Sequence, residues 1–133
     1  MDNNKIILTI NFSNLLQQIS ALFNLSLPEI KKRYADYPHC LMNYFEADIE
    51  EKLIEIRFDQ EEFTITCKVN DDDKCQFIYL VPDKTEFIEE LMLFFKDSYE
   101  YDYLRNRWVA LGFYIVVKAI GQSPNEVCWM FYY

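Results

Sequence analysis

The chain has 133 residues, of which 51% are hydrophobic and 17% aromatic, and its 22 acidic residues against 13 basic ones give a formal charge of -9. This length suits one folded domain, and the aromatic content excludes a disordered chain. The acidic balance disfavours direct binding to nucleic acid or to an anionic membrane, because its field repels phosphate. We therefore predict a single domain over residues 1–133 that favours a basic protein partner, although the same charge also serves solubility alone.

The beginning of the sequence predicts a cytoplasmic protein. Met1 to Asn4 are polar or acidic apart from the methionine, whereas a secretory signal has basic residues followed by a long apolar run. The longest apolar stretch, from Trp108 to Val117, is shorter than the roughly 20 residues that a helix needs to cross a bilayer. We therefore predict that the protein does not enter a membrane.

The first part of the chain is predicted to contain a strand and two helices. Residues 5–11 are rich in β-formers, and Ser13 is a suitable N-cap for a helix whose apolar residues repeat every three or four positions. Asn24 is suited to end that helix. Ser26 and Glu29 have the spacing of a capping box, which predicts the start of a second helix.

The middle of the chain predicts three strands. Residues 39–51 fit either a short helix or an irregular packed segment. From Lys52 to Val81 apolar and polar residues alternate, with a polar turn at residues 70–74, and this pattern predicts a three-stranded antiparallel meander over residues 52–81. The residues predicted to face the core are Ile54, Ile56, Phe58, Phe63, Ile65 and Val69.

The last part of the chain is predicted to contain a long helix and two strands. Asp83 and Glu86 suit the start of a helix, because acids near its N-terminus interact favourably with its dipole. Trp108–Ile120 is typical of a long buried strand, with an apolar helix ended by Gly121 as the alternative, and residues 126–133 predict a final strand. The predicted core side of the long helix comprises Phe87, Ile88, Leu91, Met92, Phe94, Phe95 and Tyr99. The predicted fold class is therefore α+β, with an antiparallel sheet of a three-stranded meander plus two C-terminal strands and helices packed mainly on one face.

The sequence offers few residues for catalysis or for cofactor binding. Gly112 and Gly121 are the only glycines, which excludes a phosphate-binding loop or a dinucleotide fingerprint. The only histidine, His39, has no second ligand pair at zinc spacing. We predict no metal, no cofactor, no catalytic residues and no enzymatic activity, and a hydrolase with scattered carboxylates is the remaining enzymatic alternative.

No two of the four cysteines have the Cys-x-x-Cys spacing. Cys67 and Cys75 flank a predicted hairpin and could lie opposite each other, but in a reducing compartment buried thiols are favoured over a disulfide. We interpret these two, together with Cys40 and Cys128, as packing residues.

Acidic residues are concentrated in two stretches. Residues 46–62 contain eight acids against two basic residues, and residues 83–102 contain seven against two. From position 99 to 103 three tyrosines alternate with two acids, a mixture that suits contact with a cationic protein surface. The alternative is a solvated helix face whose aromatic end packs into the core. A further acidic run at residues 71–73 lacks the glycine and the distant glutamate of a calcium loop, which favours a solvated turn.

In its size, acidity, tyrosine-rich acidic stretches and scarcity of glycine, the sequence resembles the immunity proteins that neutralise bacterial nuclease toxins. The resemblance implies a monomer that forms a 1:1 complex with a cognate protein toxin and contacts neither nucleic acid nor membrane directly. Carboxylates would replace nucleic-acid phosphates in the basic active cleft of the toxin. The predicted partner-binding residues are Asp71, Asp72, Asp73, Glu100, Tyr101, Asp102 and Tyr103.

The predicted order of elements also resembles that of the acidic, dimeric chaperones of type III secretion effectors. Residues 15–23 (LLQQISALF), followed by Leu25 and Leu27-Pro28, are similar to the first helix of those chaperones. The sequence departs from them in the long segment after Pro28 and in its final strand, where the chaperones have a helix. This resemblance implies a homodimeric chaperone as the alternative function.

Overall fold

The computed structural model describes residues 11–46, 48–123 and 126–133, and these residues form three helices and one eight-stranded antiparallel sheet. The predicted first strand over residues 5–11 lies outside the described residues, apart from Asn11. The helices are α1 (Phe12–Ser20), α2 (Leu27–Arg33) and α3 (Thr85–Ser98). The strands are β1 (His39–Glu46), β2 (Ile49–Phe58), β3 (Phe63–Val69), β4 (Cys75–Pro82), β5 (Glu100–Asp102), β6 (Arg107–Val109), β7 (Tyr114–Ala119) and β8 (Val127–Tyr132).

The sheet consists of two four-stranded halves. Its strand order is β1-β2-β3-β4-β8-β7-β6-β5, and every neighbouring pair is antiparallel. Within each half, strands that follow each other in the chain are neighbours in the sheet. The halves meet where Phe77–Leu80 of β4 pair with Trp129–Tyr132 of β8, and α3 connects one half to the other.

The predicted arrangement of a three-stranded meander plus two further strands is wrong. The antiparallel pairing predicted for residues 52–81 is present as β2, β3 and β4, but it is part of a larger sheet. Residues 39–46, for which a helix or an irregular segment was expected, form β1. The alternation of tyrosine and acid at residues 100–102 is the period-two pattern of a strand, and these residues form β5. Residues 108–120 are divided between β6 and β7 by a turn in which Gly112 has φ +92°, a conformation that favours glycine.

The first two helices begin with side-chain caps. The side chain of Asn11 accepts a hydrogen bond from the backbone N–H of Asn14, so Asn11 is the N-cap of α1 and the prediction of Ser13 is wrong. The capping box of Ser26 and Glu29 is confirmed at the start of α2. These caps satisfy N–H groups that have no partner within their helices.

The third helix begins without the predicted acidic cap. Its N-cap is Lys84, which makes no side-chain hydrogen bond to the helix, so Asp83 does not have this role. The Lys84 ammonium instead lies 2.7 Å from the Glu62 carboxylate in the turn between β2 and β3. This ion pair attaches the start of α3 to the neighbouring turn of the sheet.

The hydrophobic core lies between the three helices and one face of the sheet. All six residues predicted to face the core from the meander are buried. On α3, Phe87, Leu91 and Phe95 are buried at a spacing of four residues, whereas Met92, which was predicted to be in the core, is 38% exposed. Among the cysteines, Cys40 is exposed and therefore not a packing residue, and the three buried ones are unoxidised: Cys67, Cys75 and Cys128. No helix in the described ranges is long and apolar enough to span a membrane.

Candidate protein-binding surface

Two acidic turns lie at the same end of the sheet. In an antiparallel sheet the β1–β2 and β3–β4 turns must be at one end, and the β2–β3 turn at the other. Measured across the strands, the two turns are two strand spacings, or about 10 Å, apart. We call this region the acidic end, and we define it by the residues Asp48, Glu50, Glu51, Asp71, Asp72 and Asp73.

The β1–β2 hairpin projects beyond its neighbour in the sheet. Because β2 pairs with β3 only from Leu53 onward, Ile49–Lys52 pair with β1 alone. β3 ends at Val69, level with Lys52, so three residues of β2, or about 10 Å of strand, extend past the end of β3. Tyr44, Phe45 and Ile49 on this hairpin are 54%, 73% and 63% exposed. Exposed aromatic and apolar side chains beside acids are typical of surfaces that bind other proteins.

This hairpin was not predicted, because residues 39–51 fit either a short helix or an irregular packed segment from their sequence. A signal was present: the run HCLMNYF contains several strand formers, and an aspartate, which tolerates left-handed backbone angles, follows at position 48. Asp48 has φ +67° in the turn. The large apolar residues in this run favour a strand, and their exposure follows only from the position of β1 at the edge of the sheet.

The β3–β4 turn leaves its three aspartates available for contact. The Asn70 side chain builds the turn by accepting hydrogen bonds from the backbone N–H groups of Asp72 and Lys74, at 3.0 and 3.1 Å. Asp71, Asp72 and Asp73 are exposed, and none of them forms an ion pair with another described residue. These three of the predicted partner-binding residues therefore lie together at the surface.

The remaining predicted residues, 100–103, lie elsewhere. They belong to β5, at the opposite edge of the sheet, and to the turn that follows it. Four strand spacings, or about 19 Å, separate β4 from β5. The structure therefore does not bring the two groups of predicted residues into one surface.

Two of these residues have structural contacts. The Asp102 carboxylate accepts hydrogen bonds from the backbone N–H groups of Leu104 and Arg105, at 3.0 and 3.2 Å, and thereby holds the β5–β6 turn. The Tyr101 ring lies 4.9 Å from that of Trp108 and packs against the core. Glu100 is exposed, and Tyr103 is 82% exposed. Of residues 100–103, only Glu100 and Tyr103 therefore have side chains exposed enough to contact a partner.

The hydrogen bonds at Asp102 predict a loss of stability in acid. Burial raises the pKa of this carboxyl, but the hydrogen bonds and charge of Arg105, with the Leu104 N–H, outweigh that effect and lower the pKa below its ordinary value. A lowered folded-state pKa contributes stability above the unfolded-state pKa, and this stability is lost as the pH falls through the folded-state value. We expect Asp102→Asn to be less stable than the wild type near neutral pH and the difference to shrink in acid, as measured by urea unfolding at several pH values. A difference that stays constant with pH would contradict this role.

A cleft of about 690 Å³ lies at the other end of the sheet, beside the β2–β3 turn. The residues that line it include the buried Phe58, Phe63 and Phe87 together with Glu61 and Glu90. None of the predicted binding residues lines it. In the described part of the chain, no three His, Cys, Asp or Glu side chains are grouped closely enough to hold a metal ion.

Comparison of the chain with protein-family models, curated proteins and solved structures finds no significant match. The function is therefore inferred from the residues and their arrangement.

Proposed function

We propose that the protein is an immunity-type inhibitor that binds and neutralises a cognate bacterial toxin, a nuclease with a basic active cleft. The observation that supports this proposal is the acidic end, where the exposed Tyr44 and Phe45 lie directly across from Glu51 and Glu50 and the turn of Asp71–Asp73 lies at the same end of the sheet. Carboxylates can occupy the positions of nucleic-acid phosphates in such a cleft, and aromatic side chains can fill its apolar pockets.

The proposed contact surface differs in part from the one predicted from the sequence. Asp71, Asp72 and Asp73 stay in it, and the projecting β1–β2 hairpin is added. Glu100 and Tyr103 are left outside it, since β5 lies about 19 Å from β4. We further propose that the protein acts in the cytoplasm as a monomer and forms a 1:1 complex.

The carboxylates of the acidic end are expected to contribute more to the rate of binding a basic partner than to the stability of the fold. Glu51 pairs with Lys68 at 2.9 Å, and Glu50 pairs more loosely with Lys52 at 3.7 Å. The Glu50–Lys52 pair is exposed, and exposed ion pairs contribute at most about 1 kcal/mol to stability, whereas the Glu51–Lys68 pair is partly buried. The same exposed carboxylates produce a negative field that accelerates encounters with a basic partner.

The proposal predicts that complex formation depends strongly on salt. We expect fast association with the cognate toxin at low ionic strength and a marked decrease as salt is added, because steering acts over about 8 to 10 Å near physiological ionic strength. Stopped-flow fluorescence with a purified candidate toxin would measure the rates, and a nuclease assay would report neutralisation. Association at a rate independent of salt would contradict steering by the acidic end.

The chaperone alternative rests on the order of elements that was predicted from the sequence. The observed order is two helices, four strands, one helix and four strands within the described residues, which departs from the order on which that resemblance depends. Sedimentation equilibrium distinguishes the two proposals, because the chaperone is expected to be a two-fold dimer and the inhibitor a monomer.

A further inference from the structure

Strand β1 forms one edge of the sheet and has backbone groups that β2 does not use. The Arg57 N–H donates to the Pro38 carbonyl at 2.9 Å, which identifies these residues as a hydrogen-bonded pair. Hydrogen-bonded and non-hydrogen-bonded pairs alternate along antiparallel strands. Since the β1–β2 register continues without a shift, Leu41, Asn43 and Phe45 direct their N–H and C=O groups toward the outer edge. In the described ranges no strand pairs with that edge.

The outer edge of β1 lacks the usual features that prevent strand pairing. Natural edge strands are commonly short, or carry lysine, proline or a bulge. β1 has eight residues in regular register with β2, and positions 39–45 contain no lysine, arginine, acid or proline. The other edge of the described sheet, β5, has only three residues. An edge of this length offers an added strand several backbone hydrogen bonds.

The charges around β1 indicate what kind of strand would bind. Residues 34–51 contain five acids and no lysine or arginine. Glu50, Glu51 and Glu55 lie on β2 directly across from β1 and outnumber the one lysine among them, Lys52, and an added strand would be two strand spacings, or about 10 Å, from them. Lysine and arginine side chains on the added strand can reach carboxylates over this distance. A second copy of β1 contains no lysine or arginine and would bring a second row of glutamates close to the first.

We propose that β1 binds a basic β-strand of the partner, which extends the sheet by one strand and places its lysine or arginine side chains near the glutamates of β2. This inference rests on the proposed function only for the identity of the partner as a toxin. The hydrogen bonds of the edge would determine the position and direction of the bound strand, and the acids would select its charge.

A synthetic peptide tests the pairing directly. The probe is a seven-residue peptide in which lysine alternates with valine or threonine, and the readout is amide hydrogen exchange of the protein measured by NMR. We expect the peptide to slow exchange at Leu41, Asn43 and Phe45 by about tenfold or more, as new backbone hydrogen bonds protect these amides. Met42 and Tyr44 direct their N–H groups toward β2 and serve as internal references. Unchanged exchange at the three outer amides under saturating peptide would overturn the proposal.

A proline substitution separates backbone pairing from attraction between charges. Asn43→Pro removes one outward N–H and no β1–β2 hydrogen bond, whereas Asn43→Ala keeps the N–H and is the matched control. We expect the proline variant to lose the peptide-induced protection and the alanine variant to keep it. A peptide with alternate backbone nitrogens methylated keeps its charge but cannot pair, so it provides the same test on the unaltered protein. Equal protection by the methylated peptide would overturn strand pairing.

Other results would indicate a different occupant of the β1 edge or would separate the strand inference from the inhibitor function. Protection of the outer amides that rises with protein concentration in the absence of peptide would overturn the proposal in favour of a second copy. If toxin association depends on salt but neither toxin nor peptide protects the edge, the inhibitor function stands and the strand inference fails. If the peptide protects the edge but the rate of toxin association does not depend on salt, the strand inference stands and the proposed inhibitor function fails.

Discussion

Replacing Phe95 with alanine is expected to lower the free energy of unfolding by about 3 to 5 kcal/mol, the usual range for truncating a large buried aromatic residue. The Phe95 side chain is fully buried, and its ring centroid lies 5.5 Å from that of Trp108 and 5.8 Å from that of Trp129. It thereby links α3 to β6 and β8. Truncation to alanine would leave a cavity and remove the aromatic contacts of α3 to both β6 and β8.

Leu93 on the same helix provides the matched control for this measurement. Its side chain is 60% exposed, so Leu93→Ala is expected to change stability by no more than about 0.5 kcal/mol. Urea unfolding monitored by tryptophan fluorescence would measure both variants. Similar stabilities for Phe95→Ala and Leu93→Ala would show that the cluster around Phe95 is not closely packed.

Reversing two charges at the acidic end is expected to weaken toxin binding by about a hundredfold or more, or about 2.8 kcal/mol. The variant combines Glu50→Lys on the β1–β2 hairpin with Asp72→Lys in the β3–β4 turn. It removes attraction and introduces like-charge repulsion against a basic cleft. Calorimetry or surface plasmon resonance with the cognate toxin would measure the affinity, and thermal melts are expected to stay close to those of the wild type.

A second charge reversal controls for the change in net charge. Glu61→Lys with Glu89→Lys alters the formal charge by the same amount, and both residues are exposed. Glu61 lies in the β2–β3 turn, at the opposite end of the sheet from the acidic end. We expect this control to retain most of the affinity. Equal losses in the two double variants would indicate that only overall charge matters and would exclude the acidic end as the contact.

Local patterns in the sequence predicted many elements but not their assembly. The alternation around Ile54 and Ile65 gave correct strands because each of them has one buried face. The four-residue spacing of Phe87, Leu91 and Phe95 likewise identified the core side of α3. The pairing of β4 with β8, by contrast, depends on contacts between distant parts of the chain, and no local period reports such contacts.

The candidate site was predictable only in part for the same reason. The exposure of Asp71 to Asp73 was predictable because an acidic run in a turn stays exposed wherever the turn lies. Asp102 has the same charge, but it folds back on the Leu104 and Arg105 N–H groups, an arrangement that the sequence shows only as an acid among tyrosines. Tyr44 and Phe45 lie in the segment that fitted either a short helix or an irregular packed segment, and their exposure results from the position of β1 at the edge of the sheet.

The junction between β4 and β8 has a consequence for how the protein folds. Neighbouring strands within each half are joined by short turns, so their pairing closes small loops at low entropic cost. Leu80 and Trp129 are paired across the junction although about fifty residues separate them in sequence, and this contact forms only after a long loop has closed. The two halves can therefore gain local structure independently, and the joining of β4 to β8, supported by the packing of α3 across both, is expected to limit the folding rate.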